Sequence, residues 1–600
     1  MPKRSAVVVA LSFVVALSMS SGGQADRVRT EDQGLGARES GLGARESGLG
    51  TRDAASQTAA YDLLVRNARV LDGSGNPWFI ADVAVRDGRI AAIGALGDAA
   101  AGRTIDASGK YLVPGFIDIH SHSDRGLGDM DLRYNLNMVA QGITLSVVNQ
   151  DGRSPWPIRD QKARYETQGV GTNVALMVGH GAVRNRVMGP RANQAATDQD
   201  IAAMQALVEE GMRDGAYGLS TGLEYVPGRF SEPREVVEVT RPVKKYGGFY
   251  ISHERSEGRD PMWHVASDPT PYVDLLDSVK ETIDIGRETG VPVVCSHLKA
   301  KGADFWGASH AATRLIGEAR EQGVEVYADQ YPYDTSGSDG STVLIPRWAL
   351  SPPGAIVGGQ LGEGGDRSAG GSVKANLQAR LQNPVEAVKI RGDIAHEITR
   401  RGGASRVVVY DFPDSTYVEK SLEWIAKDRR VSPVDAAIWI QMNGTDRPGG
   451  ARMRGYSLSE IDIEHIMQQD FTATCTDGDT VEFGDGVPHA RFYGTMPRKI
   501  RRYVMDRGVI TLPFAIRSMT SLPAQIMRLP DRGWIRIGYW ADLVLFDERI
   551  ADRATFTEPH QYPAGIPFVF VNGVAVVDEG KLTKALPGRV ISPTGTLPIR

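Results

Sequence analysis

The sequence predicts an α/β protein: a closed parallel (β/α)8 barrel with a small β-sandwich formed from both ends of the chain. Short runs rich in β-branched residues alternate with helix-like segments through the middle of the chain, as in parallel strands joined by helical crossovers. Both ends show repeated strand patterns instead. The 600 residues, of which 41% are hydrophobic, suffice for one large barrel with attachments.

The eight predicted barrel strands follow one another in the order expected for such a barrel. They are residues 113–119, 144–148, 174–178, 217–220, 249–252, 291–296, 324–328 and 471–476. A doubly wound open sheet is the alternative, but no Gly-x-Gly-x-x-Gly turn follows the first strand to favour it. We therefore assign residues 113–529 to a (β/α)8 barrel.

The two ends of the folded chain predict the β-sandwich. Residues 61–70 and 82–90 are strand-like, and the second run contains the Asp87-Gly88 pair that is typical of a hairpin turn. Residues 541–546 and 567–577 show the same character. Each end is too small to bury a sheet alone, so residues 59–112 and 530–600 are expected to pack together.

One connection inside the barrel is much too long for a simple crossover. Residues of about 335–470 contain a glycine-rich stretch at 358–371 and helix-like stretches at 373–381 and 385–400. Connections of this length without a structural role are rare in compact domains. We interpret the segment as an inserted lid over the barrel.

The first 58 residues are expected to lie outside the fold. Lys3 and Arg4 precede an apolar run at 6–19 and small residues that end at Ala25, which predicts a signal peptide at 1–25. An uncleaved membrane anchor is the alternative. Residues 34–53 repeat a seven-residue unit with two glycines and one leucine, which predicts that residues 26–58 form a flexible tether.

The leader predicts an exported protein, periplasmic or secreted. No later stretch approaches the ~20 apolar residues of a membrane helix, so we expect no membrane span after leader removal. The 68 basic residues nearly balance the 73 acidic ones, which argues against nucleic acid as a partner. The sequence does not predict an oligomeric state.

Only two cysteines occur, Cys295 and Cys475, which excludes a disulfide scaffold and any four-cysteine metal site. A disulfide between them is one possibility in an oxidising compartment. They lie on the sixth and eighth predicted strands, which are not neighbours in a barrel. We therefore expect two buried, reduced thiols.

Histidines stand at the carboxyl ends of several predicted strands. His120 and His122 are two residues apart, so alternation along the strand places both on one face. A pair of hydrogen-bonded loop histidines is the alternative to a metal site. His253, His297 and Asp477 end three later strands at the same edge, where barrel active sites assemble. This placement favours metal binding.

These residues also carry a family resemblance. His120-Ser121-His122 after its Pro-Gly-Phe-Ile-Asp lead-in resembles the amidohydrolase superfamily. The chain from about residue 61 onward resembles its N-acyl-D-amino-acid deacylase (D-aminoacylase) family, on the strings at 179–184, 218–225, 296–299, 331–333 and 489–494. The resemblance implies a metal-dependent hydrolase barrel that hydrolyses N-acyl-D-amino acids.

The resemblance implies one or two zinc ions and a set of ligands. His120 and His122 belong to one metal position, His253 and His297 to the other, and Asp477 is the catalytic carboxylate. Asp151 occupies the place of a cysteine ligand usual in the family. A carboxylate is harder than a thiolate and relaxes the preference for zinc over other divalent metals. The alternative is that Asp151 only hydrogen-bonds in its turn.

The chemistry of amide hydrolysis assigns further roles. Asp477 is expected to take a proton from the attacking water, which the metal activates, and to deliver it to the leaving nitrogen. Lys299, Tyr333 and Arg347 are candidates for binding the substrate carboxylate. His180 and His489 are expected behind the ligands or in the lid rather than on the metal.

The predicted reaction is hydrolysis of N-acyl-D-amino acids, or of dipeptides with a D residue, to a carboxylate and a free D-amino acid. A cyclic-amide hydrolase of hydantoinase or dihydroorotase type is the alternative. Such enzymes commonly use a bridging lysine at the end of the fourth strand, and residues 218–222 contain none. A non-catalytic scaffold is a further alternative, although the chain keeps four histidines and an aspartate at the site.

Overall fold

The computed structural model describes residues 60–337, 342–352 and 372–593. The predicted signal peptide, the predicted tether and the glycine-rich stretch at 358–371 lie outside these ranges. Within them, no helix has the length and apolar character needed to cross a membrane.

Strands form two large sheets and one small one. In chain order they are β1 (Tyr61–Val70), β2 (Phe79–Arg86), β3 (Arg89–Gly94), β4 (Ala101–Asp106), β5 (Tyr111–Pro114), β6 (Phe116–Asp118), β7 (Ile143–Val148), β8 (Asn173–Gly179), β9 (Gly218–Gly222), β10 (Phe249–His253), β11 (Val293–Cys295), β12 (Val326–Gln330), β13 (Val407–Asp411), β14 (Arg452–Gly455), β15 (Thr472–Thr474), β16 (Leu543–Phe546), β17 (Phe568–Val571), β18 (Val574–Asp578), β19 (Lys581–Leu582) and β20 (Val590–Ile591).

Helices connect the strands. In chain order they are α1 (Asp124–Gly128), α2 (Leu136–Val139), α3 (Ile158–Gln168), α4 (His180–Met188), α5 (Asp198–Arg213), α6 (Pro233–Lys245), α7 (Leu275–Thr289), α8 (Ser309–Glu321), α9 (Arg347–Leu350), α10 (Val373–Leu381), α11 (Pro384–Arg400), α12 (Leu422–Arg429), α13 (Pro433–Asn443), α14 (Glu460–Met467), α15 (Arg491–Arg498), α16 (Leu512–Met519) and α17 (Ser521–Ile526), with a π-helical segment at Lys499–Asp506.

The barrel prediction is confirmed. Strands β6 to β12 and then β15 lie side by side in sequence order, and every pairing among them is parallel. Each predicted run overlaps one of these strands. The strand residues are buried, apart from the half-buried Tyr327, because both faces are covered, by the barrel interior and by the helices.

The barrel closes between its first and last strands through side-chain and loop hydrogen bonds. The Thr476 amide donates to Asp118 Oδ1 over 2.8 Å, and the Asp477 amide donates to the His120 carbonyl over 3.0 Å. Closure therefore brings two sequence-distant strand ends together at the edge that carries the predicted ligands.

Both ends of the chain contribute to one further sheet, as predicted. Its order is β19-β18-β17-β16-β5-β1-β2-β3, with β4 beside β1. Along β16, Leu543 and Leu545 enter the core of this sheet, while Val544 and Phe546 pack against the barrel. Strand β20 is an exception to the predicted 530–600 segment, because it pairs with barrel strand β8.

The long segment between β12 and β15 forms an inserted unit. Helices α9 to α13 and the antiparallel strand pair β13–β14 surround a separate hydrophobic core that includes Leu377, Ile394, Ile425 and Ile440. Helix α14 packs on α8 and belongs to the barrel wall. The inserted unit thus ends before the last part of the predicted 335–470 segment.

Candidate metal centre

Six predicted ligands converge at the carboxyl edge of the barrel. His253 is the last residue of β10, and the others follow the ends of β6, β7, β11 and β15 within a few residues. The six are His120, His122, Asp151, His253, His297 and Asp477. They meet because parallel strands present their carboxyl ends at one edge.

The first cluster joins the histidines after β6 to two carboxylates. His120 Nε2 lies 3.3 Å from His122 Nε2 and 3.5 Å from Asp151 Oδ1. His122 Nε2 lies 3.4 Å from Asp151 Oδ2 and 3.2 Å from Asp477 Oδ1. The ligand atoms of His120, His122 and Asp151 are close enough to share one cation.

The second cluster lies on the other side of Asp151. His253 Nδ1 is 3.0 Å from His297 Nε2 and 3.7 Å from Asp151 Oδ1, and His297 Nε2 is 3.9 Å from the same oxygen. Asp151 therefore belongs to both clusters. This is the geometry of a carboxylate between two cation positions.

The residues present fit a divalent cation. Asp151 Oδ1 is buried and has no hydrogen-bond partner among the described residues. A buried carboxylate oxygen left without a partner is costly, and a cation would satisfy it. Imidazole and carboxylate donors suit zinc, and the absence of a thiolate widens the choice to harder divalent ions.

Three of these residues have left-handed backbone angles. The φ values are +58° at Asp151, +36° at His297 and +47° at Asp477. Such angles are unfavourable for residues other than glycine and cluster at functional sites. Here each one turns a strand end so that its side chain enters the centre.

The electrostatics favour the metal-binding ionisation states of His120, Asp151 and Asp477. Burial drives the pKa of His120 well below its usual value, which keeps the ring neutral. Burial alone would raise the pKa of Asp151, but His122 and His253 hold it well below its ordinary range. Likewise, Arg491 and His122 outweigh the burial of Asp477 and lower its pKa. At His122 and His253 the facing carboxylates outweigh burial and raise the pKa of the ring, to about 9 for His253, so a cation would displace a proton there.

Each buried ligand histidine also has a polar partner at its second ring nitrogen, the one that faces away from the metal centre. His253 Nε2 lies 3.1 Å from Glu224 Oε2, and His297 Nδ1 lies 3.2 Å from Glu257 Oε1. His120 Nδ1 lies 2.6 Å from the Ser296 hydroxyl, which donates to Asp329. Such partners set the tautomer and ring orientation of a ligand histidine.

The sequence reasoning did not find these supporting residues. Glu224 belongs to the 218–225 string, and Glu257 lies four residues after His253. Their positions near ligand-bearing strand ends were the only available signal.

Arg491 was also missed, and it contacts Asp477 directly. Arg491 Nη2 lies 3.1 Å from Asp477 Oδ2. Behind it, the Arg491 amide donates to His489 Nδ1 over 2.9 Å, and His489 Nε2 lies 3.1 Å from the Thr335 carbonyl. His489 is thus one step removed from the centre, where the sequence predicted it.

A cavity of about 480 Å³ opens on the metal centre. Of the residues predicted to bind the substrate carboxylate, only Lys299 lines it. Lys299 is only 5% exposed and pairs with Glu257. Tyr331 lines the cavity as well, with Lys299 Nζ 5.4 Å and the Arg491 guanidinium 4.6 Å from its ring centre.

The other two predicted substrate residues, Tyr333 and Arg347, do not line this cavity. The Tyr333 hydroxyl donates to the Ala490 carbonyl over 3.3 Å, and Arg347 lines a different cavity under the inserted unit. His180 is buried against Glu235, at 2.9 Å from its Oε1. The two cysteines are buried free thiols, as expected.

Comparison with known proteins agrees with this geometry. The model of the family described as "Amidohydrolase family" matches residues 103–331 and 429–577. The chain belongs to the amidohydrolase family. Among its amidohydrolase relatives is the D-aminoacylase of Alcaligenes xylosoxydans xylosoxydans, 32% identical over 90% of this chain and 99% of the relative. The N-acyl-D-glutamate deacylase of the same organism is 31% identical over 88% and 96%.

Solved amidohydrolase structures superpose on the chain as well. A D-aminoacylase described with a binuclear metal centre has a TM-score of 0.67 and 31% identity, over 89% of this chain and all of that one. The N-acyl-D-glutamate deacylase of Bordetella bronchiseptica, complexed with zinc and a phosphonate inhibitor, has a TM-score of 0.67 and 29% identity, over 89% and 99%.

Proposed function

We propose that this amidohydrolase is an exported, metal-dependent amidase that hydrolyses N-acyl-D-amino acids, or dipeptides with a D residue, to a carboxylate and a free D-amino acid. One observation carries the proposal. Asp151 lies within reach of both histidine pairs, with Asp477 beside them, at the barrel edge of a chain that aligns with nearly the whole of a D-aminoacylase.

The histidines and Asp151 would hold the cation that activates water and the substrate carbonyl. When bound, a divalent cation lowers the pKa of water and polarises the acyl carbonyl. His120, His122, Asp151, His253 and His297 would hold one or two such ions. We propose zinc, because imidazole ligands suit it and because a similar deacylase is described with zinc.

Asp477 moves the proton. Its Oδ1 faces the His122 ring, and its Oδ2 faces the Arg491 guanidinium. Because this surrounding holds its pKa low, Asp477 is ionised in the resting site and is ready to accept a proton. It then returns the proton to the departing nitrogen, which leaves as an amine.

Lys299 supplies the charge for the substrate α-carboxylate. It projects into the same cavity as the ligands, and Tyr331 and Arg491 lie beside it. A buried cation close to the reacting centre orients an anionic substrate by a charge-assisted hydrogen bond.

An amine-release assay tests the proposal. Purified protein loaded with zinc is given paired N-acetyl-D- and N-acetyl-L-amino acids. Hydantoin and dihydroorotate serve as cyclic amides, and because their ring opening releases no amine, it is followed by the N-carbamoyl acid that forms. We expect release from the D isomers only. Hydrolysis of the cyclic amides alone would establish the other candidate reaction, and inactivity of the metal-loaded protein on every substrate would contradict the proposal.

Export needs a separate experiment, because the leader is outside the described residues. We expect the full chain expressed in a Gram-negative host to reach the periplasm or medium and to begin near residue 26 on amino-terminal sequencing. Retention in the cytoplasm with an intact leader would contradict export.

A further inference from the structure

A second cavity lies between the barrel and the inserted unit. Its volume is about 730 Å³, and among the described residues none lines both this cavity and the metal cavity. One wall is the loop between β10 and α7, and the other comes from residues 343–348 and helix α11. A cavity of this size accommodates a small organic molecule.

The cavity has an apolar lining with two polar atoms that lack partners. Its aromatic and aliphatic side chains include Phe230, Trp263, Tyr272, Val343, Ile345 and Trp348. Trp263 Nε1 and His264 Nδ1 are buried without a hydrogen-bond partner in the described part of the chain, and His264 is 6% exposed. Unsatisfied buried groups are costly and indicate a missing partner.

Arginine side chains line the cavity on two sides. The Arg229 guanidinium lies 4.6 Å from the ring centre of Phe230 and 4.8 Å from that of Trp263. Burial lowers the pKa of Arg229 although Asp268 attracts its charge. Arg347, at the start of α9, lines the opposite wall. A cation on an aromatic surface suits a ligand that has one anionic group and an apolar body.

Several further charged side chains line the cavity and have protein partners. Arg255 forms an ion pair with Glu281 at 2.7 Å, and Arg400 pairs with Glu397. Asp393 accepts hydrogen bonds from the amide and hydroxyl of Ser267 and from Trp348 Nε1. Glu397 is therefore paired with a cation and Asp393 is hydrogen-bonded, while Asp268 also lines the cavity and attracts the charge of Arg229.

The cavity wall is connected to a metal ligand. Met262 lines the cavity, and its amide donates to Glu224 Oε1. The other oxygen of Glu224 lies 3.1 Å from His253 Nε2. On the side of the inserted unit, Arg400 Nη2 donates to the Met262 carbonyl over 3.0 Å. Met262 is thus connected to His253 by two hydrogen bonds through Glu224.

We propose that this cavity is an effector site for a small carboxylic acid with an apolar body, and that its occupancy acts on the metal centre through Met262, Glu224 and His253. The ligand's carboxylate pairs with Arg229, and its body packs on the aromatic wall. This site is separate from the substrate cavity and is not needed for the proposed hydrolysis.

Calorimetric titration of the metal-loaded protein with octanoate tests the site. We expect one binding site, weakened at least about tenfold by Arg229→Gln, because a charge-assisted hydrogen bond is lost. Arg234→Gln is the matched control, since Arg234 is a surface residue paired with Asp198, and it should bind as the wild type does. Octanamide, which has no charge, should bind more weakly than octanoate.

Two results would overturn the site. Absence of octanoate binding is one. Equal binding by wild type and Arg229→Gln is the other, because it would place the carboxylate elsewhere, including on the metal. If Arg229→Gln does not fold, Val343→Trp answers the same question, since it fills the cavity without removing charge and should abolish binding.

The proposed coupling between the cavity and His253 is tested by a separate measurement. The rate at which a chromogenic chelator removes the metal is measured with and without saturating octanoate. We expect a change of about fivefold or more in the wild type and none in Arg229→Gln. An unchanged rate in wild-type protein that binds octanoate would refute the connection to His253.

Discussion

Asp151 is the residue on which the two halves of the metal centre depend. Its Oδ1 lies 3.5 Å from His120 Nε2 and 3.7 Å from His253 Nδ1, which come from opposite sides of the site. A carboxylate can serve both positions because it offers two oxygens and one full negative charge. Its left-handed backbone is the local cost of this placement.

We predict that Asp151→Asn keeps the fold and binds zinc at least about tenfold more weakly, because the amide removes the shared negative charge. Asp151→Cys is the matched control. It restores an anionic ligand and should recover zinc but not manganese, since a thiolate is softer. Metal content by mass spectrometry after dialysis measures both, and full zinc retention by Asp151→Asn would refute a ligand role.

Asp477 has a role that can be separated from metal binding. We predict that Asp477→Asn lowers kcat by about 10²- to 10⁴-fold, the usual contribution of general acid–base catalysis. Metal content should stay near that of the wild type, because the histidines and Asp151 remain. Steady-state kinetics with paired metal analysis measures this, and normal turnover would exclude Asp477 as the proton carrier.

Lys299 and Lys301 can be compared, because both contact Glu257, whereas only Lys299 lines the metal cavity and lies 2.8 Å from His297 Nδ1. We predict that Lys299→Met raises KM for an N-acyl-D-amino acid about tenfold or more, through loss of a charge-assisted hydrogen bond. Lys301→Met should change KM little. Equal effects of the two substitutions would mean that support of Glu257, rather than substrate binding, explains both.

At the scale of elements, the sequence was most informative about strands. Their apolar runs are buried on both faces, so the pattern along the chain reports the barrel directly, and His120, His253 and His297 follow from where those strands end. Arg491 could not be predicted in the same way. Its contact with Asp477 depends on how α15 returns over the barrel edge, which no local pattern encodes.

For the same reason, the sequence pattern could not show which of Tyr331 and Tyr333 lines the metal cavity. The 331–333 string was recognised, but the strand ends at Gln330, and only the backbone path beyond it decides which ring enters the cavity. Tyr331 does so, while Tyr333 packs against His489 with ring centres 5.2 Å apart.

Lys499, the first residue of the π-helical segment Lys499–Asp506, leads to a prediction about stability and pH. Lys499 is buried, and its Nζ donates to the hydroxyls of Thr474 and Ser518 over 2.7 and 2.8 Å. Burial lowers the pKa of Lys499 to about 7, from an ordinary value of 10.5. Between these pH values the unfolded chain binds the extra proton, so stability rises with pH there.

We therefore predict that Lys499→Met is more stable than the wild type near pH 6, by a few kcal/mol at ~1.4 kcal/mol per pKa unit less the two lost hydrogen bonds. The advantage should shrink as pH rises from 7 towards 10, where the native amine and then the unfolded one lose the proton. Denaturant unfolding at several pH values measures it. A difference that does not vary with pH would contradict a buried neutral lysine.

At the scale of the whole molecule, the two ends of the chain are joined through one sheet. Strand β16 pairs antiparallel with both β5 and β17, so carboxyl-terminal strands complete a sheet that the amino-terminal strands begin. Arg103 and Asp578 add an ion pair across the same sheet. Because Val544 and Phe546 also pack on the barrel, sheet and barrel share a hydrophobic core.

This continuity predicts cooperative unfolding. Leu545→Ala removes a fully buried side chain from the sheet and should lower the free energy of unfolding by about 2–5 kcal/mol. Val574→Ala is the control on the same sheet, and it should cost less than about 1 kcal/mol because Val574 is 47% exposed. If sheet and barrel unfold together, calorimetry of Leu545→Ala shows one transition at a lower temperature, with metal released at that temperature. Two transitions, with the metal retained through the first, would mean that the barrel holds its metal centre without the sheet.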